Sequence, residues 1–204
     1  MNFDRGEVHV WVLALDSVER RRETRFAAAD TRRRFELRRA VLHRVLAVYL
    51  GIAPDEVVID RTCARCGDPD HGKPRLPGGQ LEFSTAATRD IAVIAVASGG
   101  VRLGVDVEPV GAVDATLAGR LPDSLFTEGE REAVALGALT PETLWLRKEA
   151  LSKAIGTGLV AEVATLDIQN AGAEWHFHDL PEVHGCRGAL AADGPLSSVR
   201  IRDV

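Results

Sequence analysis

The chain has 204 residues, 46% of them hydrophobic, and a net charge of −5, which is enough apolar material for one compact domain or two small lobes. No apolar run approaches the roughly 18 residues that cross a bilayer. Met1-Asn2-Phe3-Asp4-Arg5 opens no signal peptide, and the acidic balance gives nucleic acid no global foothold. Three cysteines are too few for a disulfide framework in a chain this long, so a reducing cytoplasm is the expected compartment.

In chain order, Val8 to Leu15 is β-rich and predicts a strand. Nine arginines against three acids between Arg20 and Arg39 make a local basic face, which also fits a solvated helix with ion pairs. Phe35, Leu37, Val41, Leu42, Val45, Leu46 and Tyr49 form an apolar stripe at helical spacing, ended by Gly51 and Pro54. Residues 61–80, rich in Gly and Pro and holding Cys63 and Cys66, predict a loop. Ile91–Ala97 predicts a buried strand stopped by Ser98-Gly99-Gly100, and Val101–Glu108 another, ended by Pro109. Helices are expected over 114–120, 127–137 and 141–155. The second begins with a Thr127/Glu130 capping box and the third with Thr140-Pro141. The tail alternates short β-like runs, 163–168, 174–177, 188–192 and 198–201, with turn residues. The fold class is α+β, with two lobes divided near Gly99-Gly100 into 1–100 and 101–204.

Of 25 cations only Lys73, Lys148 and Lys153 are lysine. In an arginine-rich chain, a retained lysine is a compact, titratable charge that a site can require. All three fall in motifs with chemical content. In Gly104-Val105-Asp106-Val107-Glu108-Pro109, strand alternation puts Asp106 and Glu108 on one face and Val105 and Val107 on the other. Paired carboxylates with substrate phosphates hold Mg²⁺, although the outer face of an ordinary strand reads the same way. In Trp145-Leu146-Arg147-Lys148-Glu149-Ala150-Leu151-Ser152-Lys153, Glu149 and Lys153 share a helix face, either as a stabilising pair or as metal and phosphate ligands. Gly72-Lys73-Pro74 places a lysine in a stiffened loop.

The order Gly-Lys-Pro, Gly-Val-Asp-Val-Glu, then Trp-x-x-Lys-Glu-Ala-x-x-Lys resembles the signature set of Sfp-type 4′-phosphopantetheinyl transferases. The resemblance implies two pseudo-twofold-related α/β lobes with coenzyme A and Mg²⁺ in the cleft. It implies transfer of the phosphopantetheine arm to a serine of an acyl or peptidyl carrier protein, with no nucleic acid or membrane partner and a monomer sufficing. Carried over, Asp106, Glu108 and Glu149 hold the metal, and Glu149 is the base. Lys153 sits on a phosphate, and Lys148 and Trp145 flank the site, Trp145 by packing. Lys73 and Pro74 contact the nucleotide end, and Arg39, at the Phe35-x-x-x-Arg39 spacing, meets the 3′-phosphate, with Arg38 beside it. The chain departs from the pattern at Ala86-Ala87, where the family carries serine and histidine that contact coenzyme A phosphates.

Other readings stay open. The same fold could bind coenzyme A or a carrier protein without turnover. Cys63-x-x-Cys66 with His71, and Cys186 or Asp70 as a fourth ligand, has zinc-like spacing and a remote nucleic-acid-binding reading. A thioredoxin-like role is disfavoured because Cys63 sits in a Gly/Pro loop. His9, His43, His176, His178 and His184 form no triad, though His176 and His178 share a strand face.

Overall fold

The structure is a computed structural model that describes residues 3–4, 6–15, 27–70, 72–113, 126–156, 165–170 and 174–204, the side chains of 27–30 excepted. Its elements run β1 (Glu7–Ala14), α1 (Ala27–Leu50), a short 3₁₀ turn (Pro54–Glu56), β2 (Leu81–Ala87), β3 (Ile91–Ser98), β4 (Leu103–Pro109), α2 (Glu128–Ala135), α3 (Pro141–Ile155), β5 (His176–Val183), β6 (Cys186–Ala192) and β7 (Ser198–Asp203). They form a mixed α+β architecture with a four-stranded sheet ordered β2-β3-β1-β7 and a three-stranded sheet ordered β4-β6-β5.

The first sheet is covered by α1. Val41, Leu42, Val45 and Leu46 of the expected stripe pack on Phe83, Ile94 and Val96. The stripe does not continue inward at its start, since Phe35 is 61% and Leu37 44% exposed. Tyr49 anchors the helix end: its hydroxyl accepts from the Trp11 indole at 2.9 Å and lies 2.5 Å from His9 Nδ1. A second core joins the sheets, with Val8, Val10 and Val12 of β1 and Val93 and Ala95 of β3 packed with Val105, Val107 and Leu190. Val105 and Val107 thus take the core face, as alternation requires.

The structure adds one strand to the sequence reading, removes part of another and shows where the tail pairs. Leu81–Ala87 is a full strand, paired antiparallel with β3 from Leu81↔Ser98 to Ala87↔Ala92. Within the expected strand 163–168, residues 165–168 are not strand, because the Asp167 carboxylate turns back on Gln169 N at 2.9 Å and closes a tight turn. The C-terminal β7 pairs parallel with β1, Glu7↔Ser198 to Val12↔Asp203, so the tail returns to the first sheet instead of staying with the second half. The expected helix at 114–120 lies outside the described residues.

The caps form as read. Thr127 Oγ1 accepts from Glu130 N at 3.2 Å and Glu130 returns the bond to Thr127 N at 2.8 Å; Thr140 Oγ1 caps α3 through Thr143 N at 3.0 Å. Two contacts then fix the site. A Cβ on Gly104 would lie 1.9 Å from Ala150 O, so only glycine lets β4 and α3 meet backbone to backbone. Val105 N donates to Ser84 Oγ at 3.1 Å, tying β4 to β2 across the two sheets.

Candidate active site

The Gly104 contact brings the β4 carboxylates against the α3 face that carries Glu149 and Lys153. Asp106 is buried, and its Oδ1 accepts from Lys153 Nζ at 2.6 Å. Its Oδ2 is buried with no hydrogen-bond partner. Burial raises the Asp106 carboxyl despite Lys153. Glu108 is pushed up by burial and then by the Asp106 charge, against a hydrogen bond from Trp145. Glu149 is raised by burial and by Asp106, with a further push from Glu108, and is lowered by Lys153. Three carboxylates therefore repel one another around a single ammonium. Trp145 does more than pack: its indole, which can only donate, holds Glu108.

An all-oxygen donor set with one orphaned buried oxygen suits a hard divalent cation. Among the described residues, no three His, Cys, Asp or Glu side chains converge as a ready-made metal cluster. Asp106, Glu108 and Glu149 supply the donor type, and the Lys153 ammonium stands among them as counter-ion.

Two cavities open beside this group and share Thr85 and Lys153 in their walls. The smaller, about 240 Å³, is lined by Gly72, Lys73, Pro74, Phe83, Ser84, Thr85, Ser152, Lys153 and Gly156. Gly156 ends α3 in the left-handed region at φ 84°, and a Cβ there would press on Lys73 Cβ at 3.2 Å. The Gly156 backbone thus leaves room for the lysine. The Lys73 amine donates to the Glu82 carboxylate, to Leu103 O at 3.0 Å and to Ala154 O at 3.2 Å. All three of its donors have protein partners, and burial holds its pKa below the ordinary lysine range. Lys73 therefore pins the loop to β2, β4 and α3, with Pro74 beside it.

The larger cavity, about 360 Å³, has an apolar floor that includes Ala86, Ala87, Ala92 and Ile94, and a rim of Arg38, Arg39 and Arg61. Phe35 lines it as well, which accounts for an aromatic left outside the core. The alanines at 86–87 leave the floor without polar groups, and three guanidinium groups stand at the wall. Arg61 escapes sequence reasoning because arginine is this chain's default cation and gives no contrast. The Asp60↔Arg75 bridge and the Gly72 N to Arg61 O bond of 2.6 Å help fold the loop so that Arg61 and Lys73 line neighbouring cavities.

Lys148 departs from the expected place beside the site. Its side chain is 1% exposed, and its ammonium meets Glu130 Oε1 at 3.0 Å and Leu166 O at 2.5 Å. Burial lowers its pKa, and Glu130 opposes that. The physical reason is helical periodicity: one residue before Glu149 is a turn of about 100° away, so Lys148 faces α2 instead of β4. The remaining candidates scatter. Cys186 is buried in β6 with Thr88 Oγ1 3.7 Å from its sulfur, so it belongs to the central core. His71 lies outside the described residues. Glu7, His9 and Tyr49 form a structural network, with His9 Nε2 3.1 Å from Glu7 Oε1.

A sequence model of the 4′-phosphopantetheinyl transferase superfamily matches residues 102–190. That span carries Asp106, Glu108, Glu149 and Lys153 and leaves the arginine-lined wall and the Lys73 loop outside. The chain is also similar to the 4′-phosphopantetheinyl transferase HetI of Nostoc sp., at 28% identity over 224 residues, covering 92% of this chain and 88% of that protein. The chain is thus similar to the 4′-phosphopantetheinyl transferase superfamily over the residues that carry the acidic group of β4 and α3, and to one transferase of that name over most of its length.

Proposed function

We propose that the chain transfers the 4′-phosphopantetheine arm of coenzyme A to a serine of an acyl or peptidyl carrier protein, in the manner of Sfp-type enzymes. The observation that carries this reading is the joint placement of Asp106, Glu108, Glu149 and Lys153, with Asp106 Oδ2 buried and unpartnered, at the meeting of two cavities. Asp106, Glu108 and Glu149 would hold Mg²⁺, which when bound neutralises pyrophosphate charge and aligns the reacting oxygens.

The chain's own residues do the rest. Arg38, Arg39 and Arg61 supply charge for the nucleotide phosphates, a role that guanidinium geometry suits. They stand where Ala86-Ala87 offers no polar group. The carrier serine oxygen forms the new bond to the phosphorus bearing the pantetheine arm. The bond from that phosphorus to the 3′,5′-ADP oxygen breaks, and the leaving group keeps its electron pair. Glu149, with its carboxyl raised, accepts the serine proton, directly or through a water. Lys153, bonded to Asp106 and in the wall of both cavities, neutralises charge on the departing phosphate.

The test mixes the protein with coenzyme A, Mg²⁺ and an apo carrier protein and reads the carrier mass. Addition of a phosphopantetheine group is expected. Tight coenzyme A binding without addition to any carrier would favour a binding protein, and absence of coenzyme A binding would sink both readings. The two-lobe division near residue 100, expected as 1–100 and 101–204 but with β7 of the tail joined to the first sheet, the pseudo-twofold relation, a monomer, and a cytoplasmic location belong to the same proposal. Among the described residues no helix is long and apolar enough to cross a membrane.

A further inference from the structure

The transfer step leaves Lys73 without a task, although it lies in the wall of the smaller cavity. Its surroundings are those of a joint. β4 is an edge strand of its sheet, and side chains meet the backbone of that edge: Val105 N donates to Ser84 Oγ at 3.1 Å, and Leu103 O accepts from Lys73 Nζ at 3.0 Å. Ala154 O, which accepts from the same ammonium at 3.2 Å, is among the last carbonyls of α3, and those have no partner within the helix. The third acceptor is the Glu82 carboxylate on β2. One ammonium therefore ties β2, β4 and the C-terminal end of α3, an end of a helix that a positive charge suits.

Lysine suits this place better than arginine, this chain's default cation. Its three donors diverge from one nitrogen toward three acceptors, whereas the donors of a guanidinium lie in one plane. The stem fits against Gly156, where a Cβ would lie 3.2 Å from Lys73 Cβ and 3.3 Å from its Cδ. The side chains of Lys73 and Glu82 are 9% and 22% exposed, so the pair forms largely out of water. With three protein acceptors, the ammonium has no donor left for a phosphate. Its hold also reaches the larger cavity: the neighbouring Gly72 N donates to Arg61 O at 2.6 Å, and Arg61 stands in that cavity's wall.

We propose that the Lys73–Glu82 pair is a latch that positions the walls of both cavities, and that Lys73 serves coenzyme A through those walls and not by touching a phosphate. Lys73 and Glu82 are thus positioning residues. Glu82 belongs to the latch although it is not among the residues that line either cavity. The second clause rests on the proposed transferase reading; the latch does not.

The experiment compares the full wild-type chain with Lys73→Met, Lys73→Arg and Glu82→Gln, in the carrier-modification assay and by amide hydrogen exchange. Lys73→Met is expected to raise KM for coenzyme A by about tenfold, equivalent to about 1.4 kcal/mol, with kcat at saturating coenzyme A changed less. Glu82→Gln, nearly isosteric and able to fold where Lys73→Met fails, shifts KM in the same direction. A direct phosphate contact predicts the opposite sign, because losing the Glu82 charge would free the ammonium for coenzyme A. Lys73→Arg does not rescue the latch, whereas a phosphate contact would survive in arginine. Exchange at the Gly72 and Gly156 amides, which are bonded to Arg61 O and Ser152 O, becomes faster in Lys73→Met and Glu82→Gln as the joint opens locally. A lower KM in Glu82→Gln, or a wild-type KM in Lys73→Arg, overturns the second clause. Unchanged exchange at both amides overturns the latch. A wild-type chain that neither binds coenzyme A nor modifies a carrier sinks the transferase reading and the second clause with it, while the exchange result still decides the latch.

Discussion

At the residue scale the acidic group determines most of what can be measured. Asp106, Glu108 and Glu149 all have carboxyls raised chiefly by burial, with mutual repulsion adding to Glu108 and Glu149. In the unfolded chain the same groups ionise at ordinary carboxylate values. Between those values and the raised folded ones, the folded chain therefore holds more protons. Stability of the metal-free protein falls as pH rises through that window. Glu149→Gln removes one repelling charge, so it raises the melting temperature of the metal-free protein at neutral pH, as a thermal scan would record. The same change lowers kcat by about a hundred- to ten-thousand-fold, the range for loss of a general base. Glu149→Gln also removes the acid limb of the kcat–pH profile, and a limb unchanged in the variant counts against Glu149 as the base. On the opposite wall, Arg61→Ala and Arg39→Ala each remove a charged donor worth about 1.5–3 kcal/mol. Each raises KM for coenzyme A by about ten- to a hundredfold, with kcat changed less. The effect shrinks at high salt because the contacts are exposed.

At the element scale, α3 presents two faces with different tasks. Glu149 and Lys153 look toward β4, while Lys148 is buried against Glu130, which is itself fully buried and also accepts from Ile168 N at 2.8 Å. Removing one partner of a buried pair leaves an uncompensated charge and costs about 3–5 kcal/mol. Lys148→Met is thus expected to lower stability by that amount in denaturant titrations. The fraction that remains folded should keep its KM for coenzyme A. A large KM change at unchanged stability would instead return Lys148 to the binding site. The motif lysine next to Glu149 in sequence is therefore a clamp between α3, α2 and the 165–168 turn.

At the scale of the whole molecule, β7 closes the first sheet by pairing parallel with β1. It adds an ion pair from Arg200 to the buried Glu7 and sets Arg202 over the Trp11 ring at 5.5 Å. A chain ending before Ser198 would leave β1 as an open edge and Glu7 without this cation. Such a truncation is expected to unfold at lower temperature and to aggregate, because bare edges pair with other chains. Light scattering during a thermal ramp checks this. An unchanged melting curve would mean that the first sheet is complete without the tail.

Local chemistry made much of the molecule legible. Capping residues marked where α2 and α3 begin, alternation placed Asp106 and Glu108 together, and helical spacing placed Glu149 with Lys153. These follow from periods of two and 3.6 residues that any segment carries within itself. Other features depended on partners far away in sequence. The strand Leu81–Ala87 forms because β3 pairs with it. Phe35 stays outside the core because the helix overhangs a cavity. Lys148 turns from the site because Glu130 waits on another helix, and Arg61 and Lys73 come to neighbouring cavities through the Asp60–Arg75 bridge and the Gly72–Arg61 backbone bond. The sequence by itself determined which residue types sit on which face of each element. Only the tertiary structure decided which faces meet, because that choice is made by burial and charge pairing between segments with no local trace of one another.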